Sequence, residues 1–166
     1  MNTFSLNFLQ SELNCVSEWI QFSDKKTAFL SAFYSAIFGL VFSQKESILQ
    51  HFIIYQKGTT CFYAFILLGF IIAFVVGIFF LFESVFPRLK NSFTDKSLFY
   101  FSHVANMKFI DYLEEIKKLT EDEAKKQIIE QIYTNSIIAD QKMKNVQKSI
   151  KSFVALIIFT ILLILL

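Results

Sequence analysis

The sequence has few breaks and few reactive groups. It holds one proline, four glycines, two cysteines and two histidines in 166 residues. So little punctuation leaves room for long uninterrupted helices. Two cysteines, Cys15 and Cys61, are too few for a disulfide framework, and none is expected. A glycine-rich phosphate loop, a CxxC pair and HExxH are all missing. Nothing assembles a nucleophile, a base and an orienting group, so no enzymatic activity and no cofactor are expected. The opening "MNTFSLNFLQSELNCVSEWIQF" lacks an early lysine or arginine and carries Glu12 and Glu18, unlike a signal peptide.

Charge is also missing, but in blocks. Lys26 and Lys45 bracket 18 uncharged residues, Lys57 and Glu83 bracket 25, and the last 15 carry none. The chain is 54% hydrophobic and contains 22 phenylalanines. A soluble domain of this size has too little interior to hide them. About 20 apolar residues cross a bilayer, so the second block predicts a span, and so does the first once its flanking lysines snorkel. The third is short, roughly 22 Å at the helical rise. It becomes a span if Ser149 and Ile150 enter and Lys148 and Lys151 snorkel; a buried soluble helix is the alternative.

Basic residues set the expected orientation. Lys25, Lys26, Arg88, Lys90, Lys142, Lys144, Lys148 and Lys151 flank the blocks on one side, against Lys45 and Lys57 on the other. The positive-inside rule places the first group, the amino end and the charged middle in the cytoplasm. His51 and His103 then fall on opposite sides and cannot share a metal.

The expected architecture is all-α: a homo-oligomeric polytopic membrane protein with three transmembrane helices and a helical cytoplasmic region. Residues 1–24 form an interfacial amphipathic helix, with Leu6, Leu9, Leu13, Val16 and Ile20 on one face, lying on the membrane or packed on the protein. Residues 25–86 form a transmembrane hairpin with spans at about 27–44 and 60–82, ended by Pro87. Residues 87–148 are the cytoplasmic region, and 149–166 the third span. Within the middle, "SLFYFSHVANM" fits a strand or a helical turn, while "FIDYLEEIKKL" has the pattern of an amphipathic helix. Thr120 and Glu123 predict a capping box, after which no glycine or proline interrupts the chain. One helix is therefore expected from Glu121 to Leu166, with a seam at Ile129, Ile132, Ser136, Ala139, Met143, Val146, Ile150, Phe153 and Ile157 that fits either packing inside one subunit or contact between subunits.

The first span carries Ser31, Ser35, Gly39 and Ser43 at four-residue spacing, with bulky Phe29, Phe33, Ile37 and Leu40 elsewhere. Small residues let helix backbones approach in lipid. The line fits packing against the second span, where Gly69 and Gly77 share a face, or a pore wall facing copies of itself. Asp24 and Lys26 sit at its mouth, as a solvated helix start or as a gate tied to a cytoplasmic element.

"FSDKKTAFLSAFYSAIFGLVF", then "FPRLKN", then the run from "KSLFYFSHVANM" to "KNVQKSI" and a last apolar block resemble the membrane effectors of Pycsar antiphage defence. The matching positions are Asp24 and Lys26, Pro87 and Arg88, Phe99, Phe101, Tyr112 and Leu113, and Gln131, Ile132, Tyr133, Ser136, Ala139 and Lys142. They are ordered along nearly everything from Ser17 onward. Thr27 stands where the family usually has alanine, a departure expected to change little. The resemblance implies an effector in the bacterial inner membrane, with a cytoplasmic amino end, that disrupts that membrane when infection is sensed. It implies as partners a nucleotide-signal synthase encoded nearby and the signal itself, a cyclic pyrimidine mononucleotide. Similar domains look to be shared with Hailong-type systems, in which a DNA oligomer holds a channel shut. The expected assembly is a tetramer in the lipid bilayer. Arg88, Lys90 and Lys142 are the candidates for phosphate, Tyr133 for base stacking, and His103 for a further ligand contact. The rival expectation is a non-conducting scaffold that recruits the synthase through the heptad helix.

Overall fold

A computed structural model describes residues 4–54, 57–86 and 97–165. All regular elements among them are helices: α1 (Leu6–Ser43), α2 (Lys45–Ile54), α3 (Lys57–Val85), α4 (Phe101–Ala105), α5 (Phe109–Lys118) and α6 (Glu121–Leu165). Three helices, Leu6–Ser43, Thr60–Val85 and Glu121–Leu165, are long and apolar enough to cross a membrane. The interfacial segment and first span expected separately are one helix. The connection after it, expected as a loop, is helical as α2, entered at Gln44. The stretch left open between strand and turn closes as α4.

The ends of the helices follow local chemistry. The Ser5 hydroxyl accepts from the Phe8 N–H at 3.3 Å and starts α1. At α6 the capping box forms reciprocally. Thr120 N–H donates to Glu123 Oε2 at 3.0 Å, and Glu123 N–H donates to Thr120 Oγ1 at 3.3 Å. The Thr120 backbone N–H, with its hydroxyl second, holds the Glu123 carboxyl below the usual carboxylate range.

The chain divides into two compact units, Met1–Phe22 with Arg88–Gln141, and Ser23–Pro87 with Lys142–Leu166. In the first, Leu9, Leu98, Ile128 and Ala139 are buried, and the apolar face of early α1 is turned inward with them. Helix α5 buries no residue; Phe109 is 76% and Ile110 68% exposed. Its carboxylates and lysines form a solvated face, with Lys118 Nζ 3.6 Å from Glu115.

The second unit is a three-helix bundle. Its buried positions recur at alternating three and four residues: Ser23, Thr27, Leu30, Tyr34 and Val41 on α1; Tyr63, Ile66, Phe70, Ala73, Gly77 and Ser84 on α3. On α6 the buried line within this unit is Lys142, Val146, Ser149, Leu156, Thr160 and Leu163. That repeat suits shallow crossing angles. The seam read from the sequence coincides only in part with the positions buried within the chain. It shares Ala139 and Val146 with them. However, Ile150 and Ile157 face outward where Ser149 and Leu156 face in. The cause is the solvent. Lipid takes Ile as readily as a protein core does, so hydrophobicity alone does not decide which face turns inward, and hydroxyls such as Ser149 and Thr160 are buried beside Leu156 and Leu163. Phe29, Phe42, Phe65 and Phe82 point outward accordingly. Lys45 lies over the Phe42 ring at 5.2 Å and Lys148 over the Phe80 ring at 5.0 Å, each ammonium held at a ring face near one end of an apolar block.

Candidate functional site

The bundle is joined by polar contacts at three levels. At one end the Tyr63 hydroxyl donates to the Leu163 carbonyl at 3.3 Å. In the middle Tyr34, fully buried, crosses from α1 and donates to the Ser149 carbonyl at 2.8 Å. Ser149 Oγ donates to the Gly77 carbonyl at 3.1 Å, and Ser152 Oγ to the Ala73 carbonyl at 2.7 Å. A Cβ at Gly77 would overlap the Tyr34 phenol, and one at Gly69 would overlap the Phe159 ring. Both glycines are therefore sockets for large side chains from neighbouring helices.

The third level, at the Asp24–Lys142 end, collects the charges. Lys142 Nζ pairs with Asp24 Oδ1, linking α6 to α1. The lysine side chain is 9% exposed and the aspartate 48%. Beside them Thr27 Oγ1 lies 3.0 Å from both the Ser23 carbonyl and Ser84 Oγ, and Ser84 Oγ is 3.4 Å from the Lys142 carbonyl. All three helices meet there through hydroxyls and one ion pair. Ser23 Oγ is fully buried on the same face of α1 as Thr27 and has no hydrogen-bond partner within the protein.

The line of small residues on α1 faces elsewhere. Ser31 is half-buried, and Ser35, Gly39 and Ser43 are exposed. A Cβ at Gly39 would meet nothing within 4 Å. The hydroxyls bond back to their own helix: Ser31 to the Thr27 carbonyl at 2.9 Å, Ser35 to that of Ser31 at 2.9 Å, and Ser43 to that of Leu40 at 2.7 Å. Packing against the second span is thus done by Thr27 and Tyr34 instead.

A family model described as the Pycsar effector protein domain matches residues 8–166. The chain belongs to the Pycsar effector family. No curated protein and no solved structure matches it. Membership makes this Pycsar effector an antiphage membrane effector, from a family regulated by a nucleotide signal and working with a signal synthase.

Within this Pycsar effector the residues singled out from sequence separate. Asp24, expected at the mouth, and Lys142, expected on phosphate, are brought together as an ion pair, which occupies the Lys142 ammonium with a carboxylate of the same chain. Lys26 is half-buried. His103 and Tyr133 belong to the first unit. His103 Nδ1 accepts from the Ser97 N–H at 3.0 Å, while Gln127 Oε1 accepts from the Leu98 N–H at 2.8 Å; together they pin the turn before α4. Tyr133 is 57% exposed. Arg88, Lys90 and Pro87 lie outside the described residues.

The sequence reading passed over Ser23 and Ser84, and gave neither Thr27 nor Ser149 a part in joining the helices. Thr27 is not a silent departure: its hydroxyl makes a side-chain hydrogen bond between α1 and α3. The available signal was the spacing 23, 27, 34 on α1, offset from the more conspicuous serine line.

Proposed function

We propose that this Pycsar effector assembles as a homo-oligomer into a nucleotide-regulated pore or ion channel in the bacterial inner membrane, whose opening disrupts the membrane and aborts infection. The observation that carries this reading is the outward line of Ser35, Gly39 and Ser43 on α1. The bundle already satisfies its own packing without these residues, so the line is left for other copies of the chain. Hydroxyls that bond back to their own carbonyls keep oxygen lone pairs for water without leaving an unsatisfied donor in lipid. In the proposed assembly the bulky positions Phe29 and Phe33 meet acyl chains, and the small line meets the axis.

The proposed orientation is cytoplasmic for the amino end and for the region from residue 87 to 148, on the strength of the basic flanks. A signal binding in that region, with Arg88, Lys90, His103 and Tyr133 as candidate contacts, shifts the population between sealed and conducting arrangements. The synthase that supplies it is encoded nearby in this reading. A tetramer is the proposed stoichiometry.

A second reading, a non-conducting scaffold for the synthase, draws on the outward side of the first unit. Ile129 is 48% exposed and Ser136 is exposed, so part of the heptad face of α6 is open. Recording from the purified full-length protein in planar bilayers separates the two. Conductance that the signal modulates, abolished by Ser35→Leu with expression and insertion intact, supports the pore. A folded oligomer silent with every cyclic pyrimidine mononucleotide and DNA oligomer tried supports the scaffold.

A further inference from the structure

We propose that the Asp24–Lys142 pair is an electrostatic latch that holds one end of the membrane bundle shut, and that the latch opens by hydration of the hydroxyl level beside it. This deepens the pore reading and rests on it for its biological meaning, although the latch itself is a property of one chain.

The pair is asymmetric. Lys142 has 9% of its side chain exposed, and Asp24 has 48%. Water therefore already serves the carboxylate, while the ammonium depends on that carboxylate. Taking away one partner of such a pair costs most when the partner left behind is the one without solvent. Removing the Asp24 charge strands the lysine among α1, α3 and α6. Its four-carbon stem can recover water only by swinging out, which parts the helices. Removing the Lys142 charge leaves a carboxylate that water takes over in place.

The neighbouring hydroxyls are one hydrogen short. Thr27 and Ser84 make three contacts: with each other, with the Ser23 carbonyl and with the Lys142 carbonyl. Two hydroxyl hydrogens serve only two of them at a time. Ser23 Oγ, fully buried, has no partner within the protein. A buried, under-satisfied hydroxyl level next to a shielded ion pair favours water entry once the pair separates. Burial of the level and the pair thus hold one another in place, which gives the level two states.

The test uses the full chain with Cys15→Ser and Cys61→Ser, both native thiols being exposed. Ser23→Cys places a thiol where the native oxygen has no bond to lose. Labelling by a hydrophilic maleimide reports hydration of the level, and potassium efflux from phosphatidylethanolamine–phosphatidylglycerol liposomes reports leak. Adding Asp24→Asn should raise the labelling rate without signal by at least about tenfold. Lys142→Met should raise it far less. Combining the two removes both charges and should bring labelling back near the parent rate, because a neutral, packed pair carries no desolvation penalty. Ordinary loss of stability predicts the reverse for the double variant, an additive worsening. Labelling that stays at the parent rate in folded Asp24→Asn protein, or a double variant no better than Asp24→Asn, overturns the latch. Raised labelling and rescue without efflux keep the latch and refute the pore.

Discussion

The socket at Gly77 gives the sharpest test of the bundle. Alanine there puts a methyl group into the space of the Tyr34 phenol. Tyr34 is fully buried and its hydroxyl donates to the Ser149 carbonyl at 2.8 Å, so moving the ring aside strains its packing and this bond. Overpacking a filled core costs about 1–3 kcal/mol. Loss of an interhelical hydrogen bond in a membrane protein adds about 0.6 kcal/mol. Against this, alanine gains about 0.5–1 kcal/mol of helix propensity over glycine. The net expectation is a loss of about 1–3 kcal/mol, or a fall in unfolding midpoint of about 2–12 °C for a chain of this size. The assay is thermal unfolding in one detergent, followed by Trp19 fluorescence and by far-ultraviolet circular dichroism. Two companions make it decisive. Gly39→Ala, whose new methyl meets nothing within 4 Å, should not destabilise the monomer in detergent. Tyr34→Phe removes the nearest of the colliding atoms and the hydrogen bond that fixes the ring, so the remaining ring carbons can shift and the double variant Tyr34→Phe/Gly77→Ala should lose less than the sum of the singles. Gly77→Ala as stable as the parent, with additive behaviour in the double, would refute the close approach of α1 and α3.

Other outcomes follow from the same geometry. Thr27→Ala should destabilise the bundle by about 0.6–1.7 kcal/mol in the same unfolding assay, the range for an interhelical bond in lipid, instead of being neutral. The capping box should make the start of α6 pH-dependent. The Glu123 carboxyl is lowered in the folded chain, so its contribution is present above the ordinary carboxylate pKa and fades as pH falls through the lowered value. Hydrogen exchange at residues 121–124 should speed up on acidification in the parent, and less so in Glu123→Gln. His103→Ala should loosen the turn at Ser97–Tyr100, read as faster exchange of the Ser97 amide, whereas His103→Asn, which keeps an acceptor, should retain part of the protection.

Much of the architecture was legible because its signals are local. Blocks without charge named the three spans, and Thr120 with Glu123 named the start of α6. Absence of glycine and proline allowed that helix to run unbroken for 45 residues. What stayed hidden depends on rotation and on partners far along the chain. The α6 seam read by hydrophobicity coincides only in part with the line buried within one chain, since lipid removes the reward for burying Ile150 and Ile157 there. Asp24 and Lys142 are 118 residues apart. Each was noticed, but for a different role, because helical periodicity carries no information about which helix supplies a counter-ion. The small line on α1 was conspicuous because it is unbroken. The inward face is mixed, with Ser23, Thr27, Leu30 and Tyr34, and looks irregular until the sockets on α3 are known.

The measurement that bears most directly on the proposed pore is a cysteine scan from Phe29 to Ser43 in native-like membranes, labelled by a membrane-impermeant thiol reagent with and without the signal. The account predicts reactivity that recurs at positions 31, 35, 39 and 43 and changes with the signal, while positions 29, 33 and 40 stay protected by lipid. Equal protection at all fifteen positions in both states, from a protein that still kills, would contradict it.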